Sequence, residues 1–290
     1  MRPPTTRQFT VPVSDDAVLQ AEEYLPAEGT VDPELPTIVL AHGWTLTRHA
    51  WEPVIDELLQ HRPVRVVAYD QRGHGESSMG HPDRATVRLL ASDLRAVIDA
   101  AAPEGPVLLG GHSMGGMTVM AYAGSHHTHF GARVCGVVLV GTAASVQGRR
   151  PIPLESFVMG VAARAPRIAP RVLVPTAVQG RLLFGRGAKP SDIKTAVAMI
   201  QRTKMPTIGQ FFHAIEDHDE IESLAHFVDV PTHILVGSMD RLTPVSYARM
   251  LQDAIPSARL TVIPDLGHML MYEATHQVTD ALIEFIDAAR

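Results

Sequence analysis

The stretch Val107-Leu108-Leu109-Gly110-Gly111-His112-Ser113-Met114-Gly115-Gly116 decides the fold. It opens with a short apolar run, and residues 114–123 continue as a helical pattern. A serine between the two sits on a tight strand-to-helix turn, which forces its hydroxyl out above the sheet in strained backbone geometry. Small residues at Gly111 and Gly115 let strand and helix approach that closely. Met114 N–H, at the helix N-terminus, then points at whatever Ser113 attacks. Ser113 is the candidate nucleophile. The G-x-S-x-G pattern is weak by itself and becomes specific through its place between a strand and a helix.

Outward from this turn, short continuous apolar runs recur at 37–41, 64–69, 134–140, 233–237 and 259–263. Continuous rather than alternating apolarity means burial on both faces, as in a parallel sheet covered by helices. Helical patterns lie between the runs, at 84–101, 244–254 and 273–289, and residues 8–13 and 17–25 read as a hairpin. The alternation predicts an α/β chain with a mostly parallel, doubly wound central sheet flanked by helices. Residues 149–225 interrupt it between two strands. That block reads as mostly helical, with apolar residues such as Phe157, Val161, Leu182, Leu183, Phe184, Phe211 and Phe212. The expected organisation is a core of 1–148 and 226–290 with a helical lid, or cap, of 149–225 over the carboxyl ends of the strands, where open α/β sheets bind ligands.

Composition sets bounds. The chain has 290 residues, 46% apolar and 19% charged, as in folded proteins. Its single cysteine, Cys135, excludes an intrachain disulfide and a cysteine-built zinc site; it lies in an apolar run and is expected to be buried and inert. A formal charge of −6 argues against nucleic acid as partner. There is no apolar stretch of transmembrane length and no secretory h-region, so the expected location is cytoplasmic. Residues 149–204 hold eleven Arg and Lys against Glu155 and Asp192, a net +9, while the rest of the chain carries −15. Either these cations pair with acids of the core, or part of them faces outward toward an anionic partner, carrier or surface.

Several motifs in one order make the chain resemble an α/β-hydrolase-fold serine hydrolase, over about residues 8–148 and 226–290. Gly111 to Gly116 matches the family's nucleophile turn. Ala41-His42-Gly43-Trp44 resembles its HGX oxyanion loop, and Asp70-Gln71-Arg72-Gly73-His74-Gly75 its D-x-R-G-x-G turn. Asp240, in GSMDRLTP, sits where the family places its acid, and His268, after Gly267, where it places its base. The lid resembles nothing identifiable.

The residues read on their own terms agree. A serine hydroxyl needs a base within hydrogen-bond reach. Of fifteen histidines, His126, His127 and His129 read as a polar loop. His61, His81, His218 and His276 read as surface residues, and His112 and His42 as braces. His268 follows a buried strand at the edge where Ser113 lies. The base needs an acid to hold its tautomer, and Asp240 completes the order Ser…Asp…His. Asp265, Asp217, Asp219 and Asp70 are the weaker competitors; Asp265 reads as a turn residue. Two backbone donors for an oxyanion are expected at Met114 N–H and Trp44 N–H. The Trp44 indole either lines a pocket or packs in the core.

The resemblance implies an acyl-serine hydrolase of a carboxylic ester, and the apolar lid suggests a small-molecule substrate with a hydrophobic acyl part. No cofactor is required, and no His/Asp/Glu set has metal spacing. A thioesterase, lactonase, C–C bond hydrolase or perhydrolase would use the same three residues. A non-catalytic ligand receptor could retain them on the same fold.

Overall fold

The computed structural model describes residues 4–27, 30–81, 85–147, 155–166 and 176–289. Among these, eight strands form one sheet. They are β1 (Thr5–Pro12), β2 (Val18–Leu25), β3 (Thr37–Ala41), β4 (Val66–Tyr69), β5 (Val107–His112), β6 (Val134–Val140), β7 (Thr232–Gly237) and β8 (Arg259–Ile263). Their spatial order is β1-β2-β4-β3-β5-β6-β7-β8. The hairpin β1–β2 is antiparallel and pairs antiparallel with β4, and every pair beyond is parallel.

The pleat explains the continuous apolar runs. In β3, Ile38 and Leu40 enter one core while Val39 and Ala41 enter the other; in β6, Val138 and Val140 oppose Val137 and Leu139 in the same way. The first core is closed by α1 (Glu52–His61) and the second by α2 (Val87–Ala101) and α3 (Met114–Ser125). Thr86 caps α2, its hydroxyl accepting Leu89 N–H at 3.0 Å. After α4 (His127–Arg133) and β6 come α5 (Glu155–Ala163), α6 (Thr176–Leu183), α7 (Pro190–Arg202) and α8 (Met205–Glu216), all inserted before β7. Last come α9 (Val245–Ala254), α10 (Leu270–Glu273) and α11 (Thr275–Ala288).

The structure corrects several expectations. Helix α1 carried no sequence signal strong enough to be read, although Val54, Ile55 and Leu58 give it a buried face. Two histidines assigned to a polar loop, His127 and His129, lie in α4. His218 is buried where the chain returns to the sheet, its ring N–H donating to Ala143 O at 3.2 Å. Cys135 is only half-buried. Strand β8 closes the sheet as an edge strand, so its apolar run is partly exposed, Val262 included. The helix expected over 273–289 runs over Thr275–Ala288, and Ala274, outside helical geometry, separates it from a short helix that ends at Glu273. The expected boundary between 225 and 226 falls inside the 3-10 turn Glu222–Phe227. Helix α2 is described from Val87, and Arg84 lies outside the described residues.

Candidate active site

Ser113 stands between β5 and α3 with φ +54°, ψ −119°, a conformation rare for a residue with a side chain. Close packing holds it there. A Cβ on Gly111 would lie 2.7 Å from the Gly115 carbonyl oxygen, and one on Gly115 would collide with the Ala41 carbonyl. Ser113 N–H donates to Val140 O at 2.9 Å, and Ser113 O accepts Thr142 Oγ1–H at 2.7 Å. Met114 opens the helix, so its N–H has no partner four residues back.

Parallel pairing brings the ends of β5, β7 and β8 to one edge, and with them Ser113, Asp240 and His268. His268 Nδ1–H donates to Asp240 Oδ2 at 2.8 Å, with both side chains buried. Asp240 Oδ1 accepts Leu242 N–H at 2.9 Å and Thr243 N–H at 2.8 Å, and Oδ2 also accepts Thr243 Oγ1–H at 2.9 Å. Burial alone would raise the Asp240 pKa. The His268 charge, with the hydrogen bonds from His268 and Thr243, outweighs burial and holds the carboxyl below its usual value. Asp240 is thus both the turn residue and the partner of His268. Thr243 was missed in the sequence, although a carboxylate binding N–H groups two and three residues on is a recognisable turn signature. An imidazole so held presents Nε2 as a proton acceptor toward the cavity that Ser113 also lines. Asp265 is exposed at φ +62° and serves the turn, as expected.

The loop carrying Trp44 is braced from below. His42 Nδ1–H donates to Gly43 O at 2.7 Å, while Nε2 accepts Gln71 N–H at 2.9 Å. Gln71 Nε2–H donates to His42 O at 2.5 Å, and Thr118 Oγ1–H to Gln71 Oε1 at 2.9 Å. Both His42 nitrogens are used in the neutral form, in keeping with burial that depresses its pKa to about 4. The Gly43–Trp44 peptide is trans, so a tethered Gly43 carbonyl turns Trp44 N–H to the opposite side. Asp70 keeps the D-x-R-G-x-G turn in place by accepting Arg48 N–H at 2.8 Å and Glu76 N–H at 2.9 Å. His112 braces as expected, Nε2–H donating to His268 O at 3.0 Å.

A cavity of about 370 Å³ lies over Ser113 and His268. Trp44 lines it and also packs against the buried cluster of Leu90, Met114, Phe211 and Ala214, so the two alternatives for its indole do not exclude each other. Its far wall is Met159 and Ala162 of α5, Leu183 of α6, Ile200 of α7 and Ile208 of α8. The inserted helices are sewn to the site. His268 N–H donates to Leu183 O at 2.7 Å, and Thr203 Oγ1–H to Thr45 O at 2.9 Å. The Glu273 carboxylate accepts N–H groups of Gly185 (2.6 Å), Gly267 (3.0 Å) and Met269 (3.1 Å). Sequence reading missed Glu273, because a carboxylate serving distant N–H groups leaves no local pattern.

This fold and site define an α/β-hydrolase enzyme. The chain belongs to the Hydrolase_4 family (serine aminopeptidase, S33), whose model matches residues 33–275. It is 27% identical over 257 residues to the AB hydrolase superfamily protein YisY of Bacillus subtilis, covering 86% of this chain and 90% of that one. It is 29% identical over 266 residues to a non-heme haloperoxidase of Rhodococcus erythropolis, covering 87% and 92%. A thermophilic esterase from Thermogutta terrifontis superposes with TM-score 0.77 at 22% identity, over 98% of this chain and 99% of that one. Among the described residues no helix is long and apolar enough to cross a membrane.

Proposed function

We propose that the protein hydrolyses carboxylic esters with an apolar acyl part through an acyl-serine intermediate. The observation that carries this reading is a serine in strained turn geometry sharing an apolar cavity with an imidazole bound to a buried carboxylate. Ser113 Oγ attacks the ester carbonyl while His268 Nε2 takes its proton. Asp240 stabilises the imidazolium. Trp44 N–H and Met114 N–H receive the oxyanion, each contributing about 3 kcal/mol in the transition state. His268 then protonates the leaving alcohol, and water activated by the same imidazole releases the acid and restores Ser113.

The wall supports an uncharged acyl group: its polar side chains away from Ser113 and His268 include Gln179 and Gln201, amid Met159, Leu182, Ile200 and Ile208. The division into a core of 1–148 and 226–290 and a cap of 149–225 belongs to the same reading, supported by the helices α5, α6, α7 and α8 inserted between β6 and β7. So does the cytoplasmic location expected from the sequence. The test is a panel of p-nitrophenyl esters of graded acyl length, with one thioester, one lactone and one aminoacyl anilide. The expected result is a pre-steady-state burst with the esters and a preference for medium or long acyl chains. Turnover of the anilide alone would contradict it, and a burst with the thioester or lactone alone would replace the ester.

A further inference from the structure

After Glu155 and Ser156, helix α5 is apolar on every side. Met159 and Ala162 turn into the cavity, whereas Phe157 and Val161, one turn apart, are 71% and 58% exposed. A helix that is apolar all round is one that something covers. Val158, Val178, Leu182 and Leu242 are exposed as well, and all four line the cavity, so the apolar surface is the rim of its mouth. Scattered exposed apolar side chains need no explanation, but a contiguous rim around an opening does.

The charge of the same segment is the second observation. Arg164, Arg181, Arg186, Lys189, Lys194, Arg202 and Lys204 are all exposed. Of these seven, only Arg186 has an ion-pair partner among the described residues, Asp265 at 3.5 Å with both side chains exposed. Interface pairing with acids of the core therefore does not explain the other six; Arg149, Arg150, Arg167 and Arg171 lie outside the described residues. The cations alternate with the apolar rim. Arg181 precedes Leu182, Arg241 precedes Leu242, and Arg164 follows Val161 by one turn. The Arg241 side chain donates to Arg181 O, joining the two sides of the mouth.

We propose that this rim docks on an anionic lipid bilayer, so that the cavity opens toward esters dissolved in the membrane. Phe157 and Val161 would enter the boundary between headgroups and acyl chains, while long cationic side chains reach back to lipid phosphates. An acidic protein would satisfy the cations and leave Phe157 and Val161 against a polar face; a bilayer satisfies both. Docking stands on the rim and its charge. The lipid-borne substrate rests in addition on the ester reading above.

The experiment is flotation of the full chain with vesicles of phosphatidylcholine alone or with one-third phosphatidylglycerol, at low and high salt, and a pull-down on an acidic acyl carrier protein. The expected result is partitioning at least about tenfold stronger to the anionic vesicles and weakening as salt rises, since exposed charges are screened within about 8 Å at physiological ionic strength. The pair Phe157→Ser and Val161→Ser lowers partitioning by about tenfold, and so does Arg164→Glu with Arg181→Glu. Both pairs keep hydrolysis of a soluble short-chain ester, which reports an intact fold. Equal binding to neutral and anionic vesicles, binding to neither, or capture by the carrier protein with vesicles ignored overturns docking, whichever variants fold. Vesicle binding without hydrolysis of any ester overturns the ester reading and leaves docking standing.

Discussion

The turn around Ser113 and the helices α5–α8 face each other across one cavity and are built by opposite means. On the Ser113 side, backbone atoms set the geometry. Ser113 N–H is held by Val140, its carbonyl by Thr142, the Gly43 carbonyl by His42, and Asp240 by Leu242 and Thr243. Across the cavity, Met159, Ala162, Ile200 and Ile208 set it by volume alone. Hydrogen-bonded backbone geometry demands particular residues, whereas an apolar wall accepts any side chain of suitable size. On the proposed function, damage to the first side lowers kcat, and damage to the second changes which acyl group fits.

The sharpest way to break this division is at the acid. Asp240→Asn is expected to lower kcat on the order of 10³-fold or more with KM little changed, because the amide stabilises the wrong imidazole tautomer. Asp265→Asn, at an exposed turn, should cost less than about threefold. The reverse ranking in steady-state kinetics would move the acid.

The next effect is on stability and belongs to the core. Burial lowers the pKa of His42 to about 4 and of His74 to about 3, and lowers those of His112, His218 and His233 as well. The unfolded chain, with histidines near 6.5, then binds more protons than the folded one between about pH 4 and 6.5. Stability present above the unfolded pKa is lost as pH falls. His49 beside Glu52 is raised and works in the other direction. From pH 7 to 5, His42 alone accounts for about 2 kcal/mol, or about 30-fold in the unfolding equilibrium. Urea midpoints measured across that range should fall with pH; a flat profile would mean that these rings are not held neutral.

Glu273 tests the seam between the two sides. Glu273→Gln puts an NH₂ group in place of one carboxylate oxygen, facing either the Gly185 and Gly267 N–H groups or the Met269 N–H, so the His268 loop and the end of α6 should loosen. The expected loss is about tenfold in kcat with a rise in KM for long-chain esters, and Glu273→Asp should recover part of both. A change in thermal stability alone, with kinetics intact, would make the carboxylate purely structural. The smallest effect is expected from the wall: Ile208→Trp should shift the preference toward shorter acyl chains by about fivefold in kcat/KM.

What the sequence disclosed follows the same division. Strands β3, β6 and β8 could be bounded from apolar runs because burial on one or both sheet faces requires them. Ser113, Asp240 and His268 stood out as candidates because strand-end turns carry glycines and acids and because their motifs resemble those of the family. Helix α1 was not legible: its buried face is three residues, Val54, Ile55 and Leu58, within a polar context. Glu273 and Gln71 were not legible as braces, because their partners, Gly185 and His42, are distant in sequence and the contacts arise only on folding. The inserted helices could be recognised as a unit by charge, yet nothing in their sequence told inward Met159 from outward Phe157.

The central claim is that Ser113 is the nucleophile, and active-site labelling tests it most directly. Wild-type protein and Ser113→Ala would be treated with a serine-directed fluorophosphonate, digested and mapped by mass spectrometry, with circular dichroism and thermal unfolding to confirm that the variant folds. One adduct per chain on the peptide containing Ser113, absent from the folded alanine variant, is the predicted result. Labelling that persists in Ser113→Ala, or an adduct on another residue of the wild type, would contradict the account.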